Sequence, residues 1–407
     1  MEIIELTNEE FSSFAKNNPL NNYMQSLNYA KLEKERGYSY DFLGLKDNGK
    51  ILGASLILTK NTPSFKYGYA PKGFLINYYD ETIVKTFKEK IIEYYKKKDF
   101  VFIKINPEIV VAKIDNKTYE LETNPNLKLK EDLSEAGYKR LKDNLYFESI
   151  CPRFNAYVNL KNTNINKYSK INRNKLRNAK RKGLHLEKGT FEDLEEFYNI
   201  IETDNDLEYY KYLFDSFDDN VELLLVKVDY DKYIKNTQKR YDEEQNNNNL
   251  YSEIIHRSQN KADLNRKMES DAILCILKNE LIVATKGLKE TNNTIVAGAL
   301  TIKHGNRVHI IESGFNRKFK YNQNYFLYDA IINYYKDNYT FLDIGGISGD
   351  FNKDSTYYGL TRFKCGFNPD IYEYIGEFDI VINEKKYNKL LNSGKLAQEL
   401  NKRGTKK

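Results

Sequence analysis

"TIVAGALTIKHGNRVHIIESGFN", residues 294–316, decides the fold. Two β-rich runs flank Gly305-Asn306, a pair that suits a tight hairpin turn. The next stretch, "NQNYFLYDAIINYYKDN" (322–338), reads as a helix, and "YTFLDIGGISGDF" (339–351) as a strand running into a glycine-rich loop. The same order stands near the start of the chain. "YDFLGLKDNGKILGASLILTK" (40–60) reads as two strands around an Asp-Asn-Gly turn. "ETIVKTFKEKIIEYYKKKD" (81–99) carries Ile83, Phe87, Ile91 and Tyr94 at helical spacing. "FVFIKINPEI" (100–109) is then a buried strand stopped by Pro107, and "NYMQSLNYAKLEKERG" (22–37) ahead of it all is an amphipathic helix ending at Gly37. Hairpin, helix and strand in that order, twice, imply two related α/β units.

Between the second unit's early part and its hairpin lie residues 229–290. Tyr230, Ile234, Thr237 and Tyr241 follow one another at heptad spacing, and the register runs on through Glu244, Asn248, Tyr251 and Ile255. Leu274, Leu277, Leu281, Ala284 and Leu288 repeat it. Two antiparallel helices are expected, with "SQNK" (258–261) as their turn and the Asn run 246–249 as the weak point. The competing reading is a β-hairpin, "AILCILKNELIVAT".

A chain of 407 residues with 40% hydrophobic residues has material for more than one core. Its net charge of +6 favours anionic partners. Cys151, Cys275 and Cys365 are widely spaced and odd in number, which fits a reduced, cytoplasmic setting better than a disulfide framework. The acidic start "MEIIELTNEEFSSF" lacks a signal-peptide core, and no apolar run approaches membrane-spanning length.

Three stretches could carry chemistry. "KYSKINRNKLRNAKRKGLHLEKG" (167–189) concentrates Lys167, Lys170, Arg173, Lys175, Arg177, Lys180, Arg181 and Lys182 in one helix that stops at Gly183, almost without carboxylates. Phosphate binding is the expected use. "YYGLTRFKCGFNPDIYEYIGEFDIVIN" (357–383) sets Arg362 and Lys364 among apolar residues. Pattern alone puts both outward on an edge strand; the alternative is a cation in a low dielectric, suited to a developing oxyanion. Of the four histidines, His309 lies in a predicted strand, as a packed core residue by its pattern, and none pairs with another at metal-ligand spacing. No nucleotide phosphate loop, serine-nucleophile elbow, dinucleotide fingerprint or coenzyme A pyrophosphate loop occurs.

In this order the pieces resemble the Fem-type (FemABX) aminoacyltransferases over nearly the whole chain. "MQSLNYAKLEKERG" with "GLKDNGKILGASLIL" resembles the family's start, residues 167–189 its basic helix, 229–290 its arm, and "FLDIGGISGDF" with residues 357–383 its C-terminal signature. The resemblance implies two acetyltransferase-like (GNAT) domains: 1–150, completed by 376–407, and 151–375, with the coiled-coil arm inserted in the second. It implies transfer of Gly, Ala or Ser from aminoacyl-tRNA, with no other cofactor, to the stem peptide or growing bridge of a peptidoglycan precursor. The acceptor would be lipid II or UDP-MurNAc pentapeptide, the place the inner membrane face, and the arm would bind tRNA or mediate a homodimer.

By the same resemblance, Phe363 and Lys364 are the catalytic pair, Arg362, Tyr209 and His309 bind substrate together with Lys31 and Lys34, and Lys170, Arg173, Lys175, Arg177, Lys180 and Arg181 contact tRNA or phosphate. An aminoacyl ester is already activated, so positioning and charge stabilisation would suffice without an enzyme nucleophile. Some positions depart from the pattern. The family's early phosphate-binding lysine falls on Glu33, flanked by Lys31 and Lys34, which are expected to stand in. Tyr209 is kept, but Asn205 replaces the arginine four residues before it. His309 takes the place of the usual strand tyrosine, and Asn106 that of an aspartate. A non-catalytic member that binds tRNA or a partner is the alternative reading.

Overall fold

The computed structural model describes residues 1–140, 143–145, 150–258, 260–290 and 294–396. Two mixed sheets organise them. The first has the spatial order Glu2–Glu5, Ser39–Asp47, Lys50–Asn61, Lys66–Ala70, Phe100–Ile105, Phe378–Val381, Lys139–Arg140. The second runs Leu184–Lys188, Val221–Val228, Ile295–His304, Arg307–Phe315, Phe341–Ile347, Phe154–Asn159, Asp370–Tyr374, Val110–Ile114, Leu121–Thr123.

The expected repeat is present in both. Asn48 and Gly49 turn the first hairpin with φ of 45° and 81°, the left-handed values a two-residue turn requires. Helix Glu81–Lys96 then crosses over to Phe100–Ile105, which runs parallel to Lys66–Ala70. In the second unit, helix Gln323–Tyr335 joins the hairpin to Phe341–Ile347, parallel to Arg307–Phe315. A parallel neighbour needs such a crossover, so the two parallel pairs mark the shared plan. On Glu81–Lys96 the buried stripe is Val84, Phe87, Ile91 and Tyr95. Ile83 and Tyr94, expected to face the core, are at its edge.

The closing strand Phe378–Val381 pairs with Phe100–Ile105 in the first sheet. There Lys104 is fully buried between Asp379 (2.8 Å) and Glu377 (3.3 Å). The strands Val110–Ile114 and Leu121–Thr123 extend the second sheet through Asp370–Tyr374, although they precede residue 150. Val110–Ile114 has its pairing partner in the C-terminal half, a long-range choice that local pattern does not encode, and Leu121–Thr123 pairs back onto Val110–Ile114. Residues 146–149, beside the expected boundary, and 397–407 lie outside the described residues.

Residues 229–290 leave and re-enter the second sheet between two strands that pair with each other, Val221–Val228 and Ile295–His304. They form two helices, Tyr230–Ser258 and Lys261–Glu290, so the β-hairpin reading of 272–285 is overturned. The predicted heptad positions face inward: Thr237, Asn248, Leu277 and Ala284 are buried, and Leu274, Leu281 and Leu288 half-buried. The helices run antiparallel, Arg240 reaching Glu280 and Glu244 meeting Ser270. Asn248, in the suspected weak run, donates to Ser270 Oγ (3.1 Å) and Asp271 Oδ1 (2.8 Å). A buried amide so paired fixes register between helices. Residue 259, in the expected turn, lies outside the described residues. Among the described residues no helix is long and apolar enough to cross a membrane.

Candidate active site and its cationic approach

One face of the second sheet is mostly apolar; the other is apolar at Leu223, Leu225, Leu300 and Ile302 and polar around His309 and Asp343. Val308, Leu342, Val158 and Ile371 lie in the core under the first face. The alternate positions point the other way, because successive strand side chains alternate. His309 is registered beside Asp343, and Asp343 beside Tyr157. These residues meet the first unit, which contributes Tyr23, Lys72, Asn106 and Glu108.

Glu108 is buried and fully used. It accepts from Arg307 Nη1 (2.9 Å), Tyr157 Oη (2.8 Å), Tyr374 Oη (3.3 Å) and Asn22 Nδ2 (3.2 Å). Burial alone would raise its carboxyl, but Lys72, Arg307 and His309 hold it below the ordinary value. Asp343 behaves alike: burial pushes up, and His309, the Gly345 N–H and Lys72 outweigh it. Its Oδ1 accepts from Gly345 N (2.8 Å) and its Oδ2 lies 3.1 Å from His309 Nδ1. The His309 side chain is 4% exposed. Its Nε2 is buried and has no hydrogen-bond partner among the described residues. The Tyr23 ring tilts over the imidazole, centroids 4.9 Å apart. Burial, with Tyr209, Cys151, Asp343 and Glu108, keeps the Tyr23 phenol protonated far into the alkaline range. Asn106 Oδ1 accepts from Lys72 N (2.8 Å) and Tyr69 Oη (3.2 Å). An amide there supplies no titratable base.

Lys364 adjoins this cluster. Residues Tyr358–Cys365 are a helix, not the edge strand that alternation suggested. Thr361, Lys364 and Cys365 are buried at spacings of three and one, the inner face of a helix, while Arg362 is exposed. Lys364 Nζ donates to the Gly346 carbonyl (2.9 Å). Burial pulls its pKa down to about 8, against the raising field of Asp343. Phe363 is half-buried and packs edge-on against Tyr325, Tyr328 and Phe367. Its carbonyl accepts from Asn172 Nδ2 (3.1 Å), and the Gly366 carbonyl from Ser169 N (2.9 Å). This ties the signature helix to the start of the basic helix. Any side chain at Gly366 would collide with Asn172.

The basic helix spans Lys170–Lys180, capped by Ser169, with Leu176 and Ala179 in the core. Its cations face two adjoining clefts. One, of about 740 Å³, lies between this helix and the signature helix and is lined by Lys117, Lys167, Arg173 and Arg362. The other, of about 780 Å³, lies against the arm; Arg173, Arg177, Lys180, Arg181, Lys239 and Arg240 line it, with Glu243 as its acid. Burial and then repulsion from Arg240 and Arg177 lower the Arg181 pKa. Cations that disfavour one another in this way favour an incoming polyanion. Lys170 and Lys175 are exposed and line neither cleft, and Lys180 also pairs with Asp329 at 3.2 Å. Lys182 is turned inward, donating to Tyr233 Oη (2.8 Å).

Lys31 and Lys34 are exposed on helix Leu27–Glu35. The cation that this end of the helix brings to the seam between the units is Arg36. It pairs with the fully buried Glu33 (3.1 Å), reaches Asn205 Oδ1 (3.5 Å) and lies over the Tyr209 ring (4.9 Å). So Glu33 and Asn205, the two departures in the phosphate-binding pattern, share one guanidinium. Sequence reading also missed Asp343, Glu108, Tyr23, Lys239 and Arg240. Asp343 had a signal, a lone carboxylate inside the apolar run "TFLDIGG". Lys239 and Arg240 sit off the heptad positions, and only the fold turns them toward the basic helix. Among the described residues no group of three or more His, Cys, Asp or Glu could hold a metal ion.

The FemAB family model matches residues 6–392. A lipid II:glycine glycyltransferase of Staphylococcus aureus (strain MRSA252) is 26% identical over 409 residues, covering 95% of this chain and 94% of the relative. The protein of strain bovine RF122 / ET3-1 is equally similar. Among solved structures, FemX superposes with a TM-score of 0.72 at 21% identity, over 96% of this chain and 100% of that one. A tandem GNAT protein from the clavulanic acid biosynthesis pathway gives 0.51 at 8% identity, over 94% and 98%. Both likenesses show the fold: two GNAT-like units in one chain.

Proposed function

The chain belongs to the FemAB family, and from that premise we propose that it is an aminoacyltransferase that extends the peptide of a peptidoglycan precursor. The donor is an aminoacyl-tRNA and the acceptor an amine on the stem peptide or nascent bridge of lipid II. Glycine is the first amino acid to test, since the relatives are named as glycyltransferases of lipid II. Alanine and serine remain in the comparison set.

The observation that carries this reading is Lys364, a cation 8% exposed on the family's signature helix. Attack of an amine on an ester puts negative charge on the former carbonyl oxygen. A preorganised ammonium in a dry site stabilises that charge more than one in water. Phe363 fixes the helix by aromatic packing. The clefts lined by Arg173, Arg177, Arg181, Lys239, Arg240 and Arg362 suit a polyphosphate such as tRNA, and their rim leads to the same helix. The site needs no further cofactor in this scheme. Lipid II places the work at the cytoplasmic membrane face, where a net charge of +6 favours an anionic surface.

The test is a transfer assay. Purified protein is given tRNAs charged with radiolabelled Gly, Ala or Ser, and separately lipid II and UDP-MurNAc pentapeptide. Label from one tRNA on lipid II, lost with Lys364→Ala, supports the proposal. Charged tRNA that is bound but never discharged onto either acceptor favours a binding protein without transferase activity.

A further inference from the structure

We infer that His309 is the proton acceptor of the transfer reaction and that Asp343 positions it. This rests on the aminoacyl transfer proposed above. The chemistry demands such a group. When an amine attacks an ester carbonyl carbon, a C–N bond forms and the nitrogen becomes positively charged. The tetrahedral intermediate collapses productively only after that nitrogen gives up a proton. The C–O bond to the tRNA ribose then breaks, and the ribose oxygen takes a proton. Ester and amine become amide and alcohol, with the proton moved from nitrogen to oxygen.

The buried cluster offers few acceptors. Asn106 is an amide. Glu108 already receives four hydrogen bonds. Tyr23 and Tyr157 hold their protons, through burial first. His304 bonds Asn21 through Nε2 (2.8 Å). Burial first pulls the His304 pKa down to about 4, whereas His309 keeps a buried ring nitrogen without a hydrogen-bond partner among the described residues. Nδ1 faces the Asp343 carboxylate at 3.1 Å, so it must carry the hydrogen and donate. In the neutral imidazole Nε2 is then left with its lone pair, buried and without a partner among the described residues. An unsatisfied buried nitrogen costs free energy and calls for an explanation. A substrate amine entering between the units beneath Tyr23 would supply the missing partner.

Asp343 also links the two catalytic groups. Its Oδ1 receives Gly345 N–H, and Gly345 abuts Lys364 Nζ. Gly345 has φ of 81°, and a Cβ there would stand 3.3 Å from that nitrogen. One carboxylate thus offsets the charge of an imidazolium on one side and of the ammonium on the other. His309 takes the proton from the attacking nitrogen and returns it to the leaving ribose oxygen, while Lys364 holds the oxyanion.

The test measures single-turnover transfer by wild type, His309→Asn and His309→Gln at saturating charged tRNA and lipid II. Asn keeps a polar group toward Asp343 and Gln reaches the Nε2 position, yet neither takes a proton. Each is expected to lose about 100-fold or more in rate, in the range of a general base, with KM for both substrates nearly unchanged. Hydroxylamine serves as a second acceptor: its nitrogen is far less basic, so in the tetrahedral intermediate it gives up its proton readily to water, and its rate above the uncatalysed background should fall far less. The ratio of the two rates is independent of the folded fraction, so a poorly folding variant still reports. An unchanged ratio of amine to hydroxylamine rates overturns the inference. Wild-type protein that transfers nothing overturns the parent reading and the inference together, before any variant is compared.

Discussion

Arg362 and Lys364 are two residues apart on one helix, yet one lies at the rim of an open cationic cleft and the other is buried against Gly346. Burial separates what the two can do. In the proposed reaction Lys364 acts alone, on one atom, in a low dielectric that both strengthens its field and lowers its pKa to about 8. The cleft cations act by number. Each is screened by solvent and salt, and their sum attracts a polyanion without fixing any single atom of it. The helix period joins these two environments, since positions two apart on a helix face nearly opposite ways.

The largest effect that could break this contrast is Lys364→Met. It should lower kcat by about 100- to 1000-fold, as loss of one oxyanion donor does, and leave KM for charged tRNA nearly unchanged. If KM rises and kcat holds, Lys364 is one more cleft cation. Next comes the pair Arg173→Glu with Arg177→Glu. Charged-tRNA affinity measured by filter binding should fall roughly 10-fold at physiological salt, and the dependence of log Kd on log salt should flatten by about two. A loss independent of salt would point to a specific contact.

A smaller and more specific effect concerns pH. In the proposed mechanism the protonated form of Lys364 is the active one, so transfer should decline as pH rises through about 8. The Asp343 carboxylate favours the ammonium form. Asp343→Asn therefore moves that limb to lower pH, read from a rate profile normalised to its own maximum. A shift to higher pH would contradict the assignment. Smallest of all is Lys175→Ala. This side chain is exposed and lines neither cleft, so affinity and rate should stay within about twofold of wild type.

The sequence told the two regions apart only partly. The repeat of hairpin, helix and strand is local and was legible from turn residues and periodicity. The heptads of the arm were equally local, and even Asn248 kept its register. The basic helix was readable as a block of charge, but which cations share a cleft depends on the arm folding back past it. The signature helix was misread because Arg362 and Lys364 alternate with Phe363 and Cys365 as in a strand; the clamp from Asn172 and Ser169 is a contact 191 to 197 residues away in sequence. Arg36 was missed for a related reason. Its partners are one turn back at Glu33, in the loop before another helix at Asn205 and on that helix at Tyr209.

The central claim is that one buried cation performs chemistry while many exposed ones hold the donor. Single-turnover transfer from saturating charged glycyl-tRNA to lipid II tests it most directly, for wild type, Lys364→Met and the Arg173→Glu/Arg177→Glu pair, from low to high salt. The prediction is that the arginine pair reaches the wild-type rate once tRNA saturates, whereas Lys364→Met stays slow at every salt concentration. A Lys364→Met protein that matches wild type at saturation would contradict the claim.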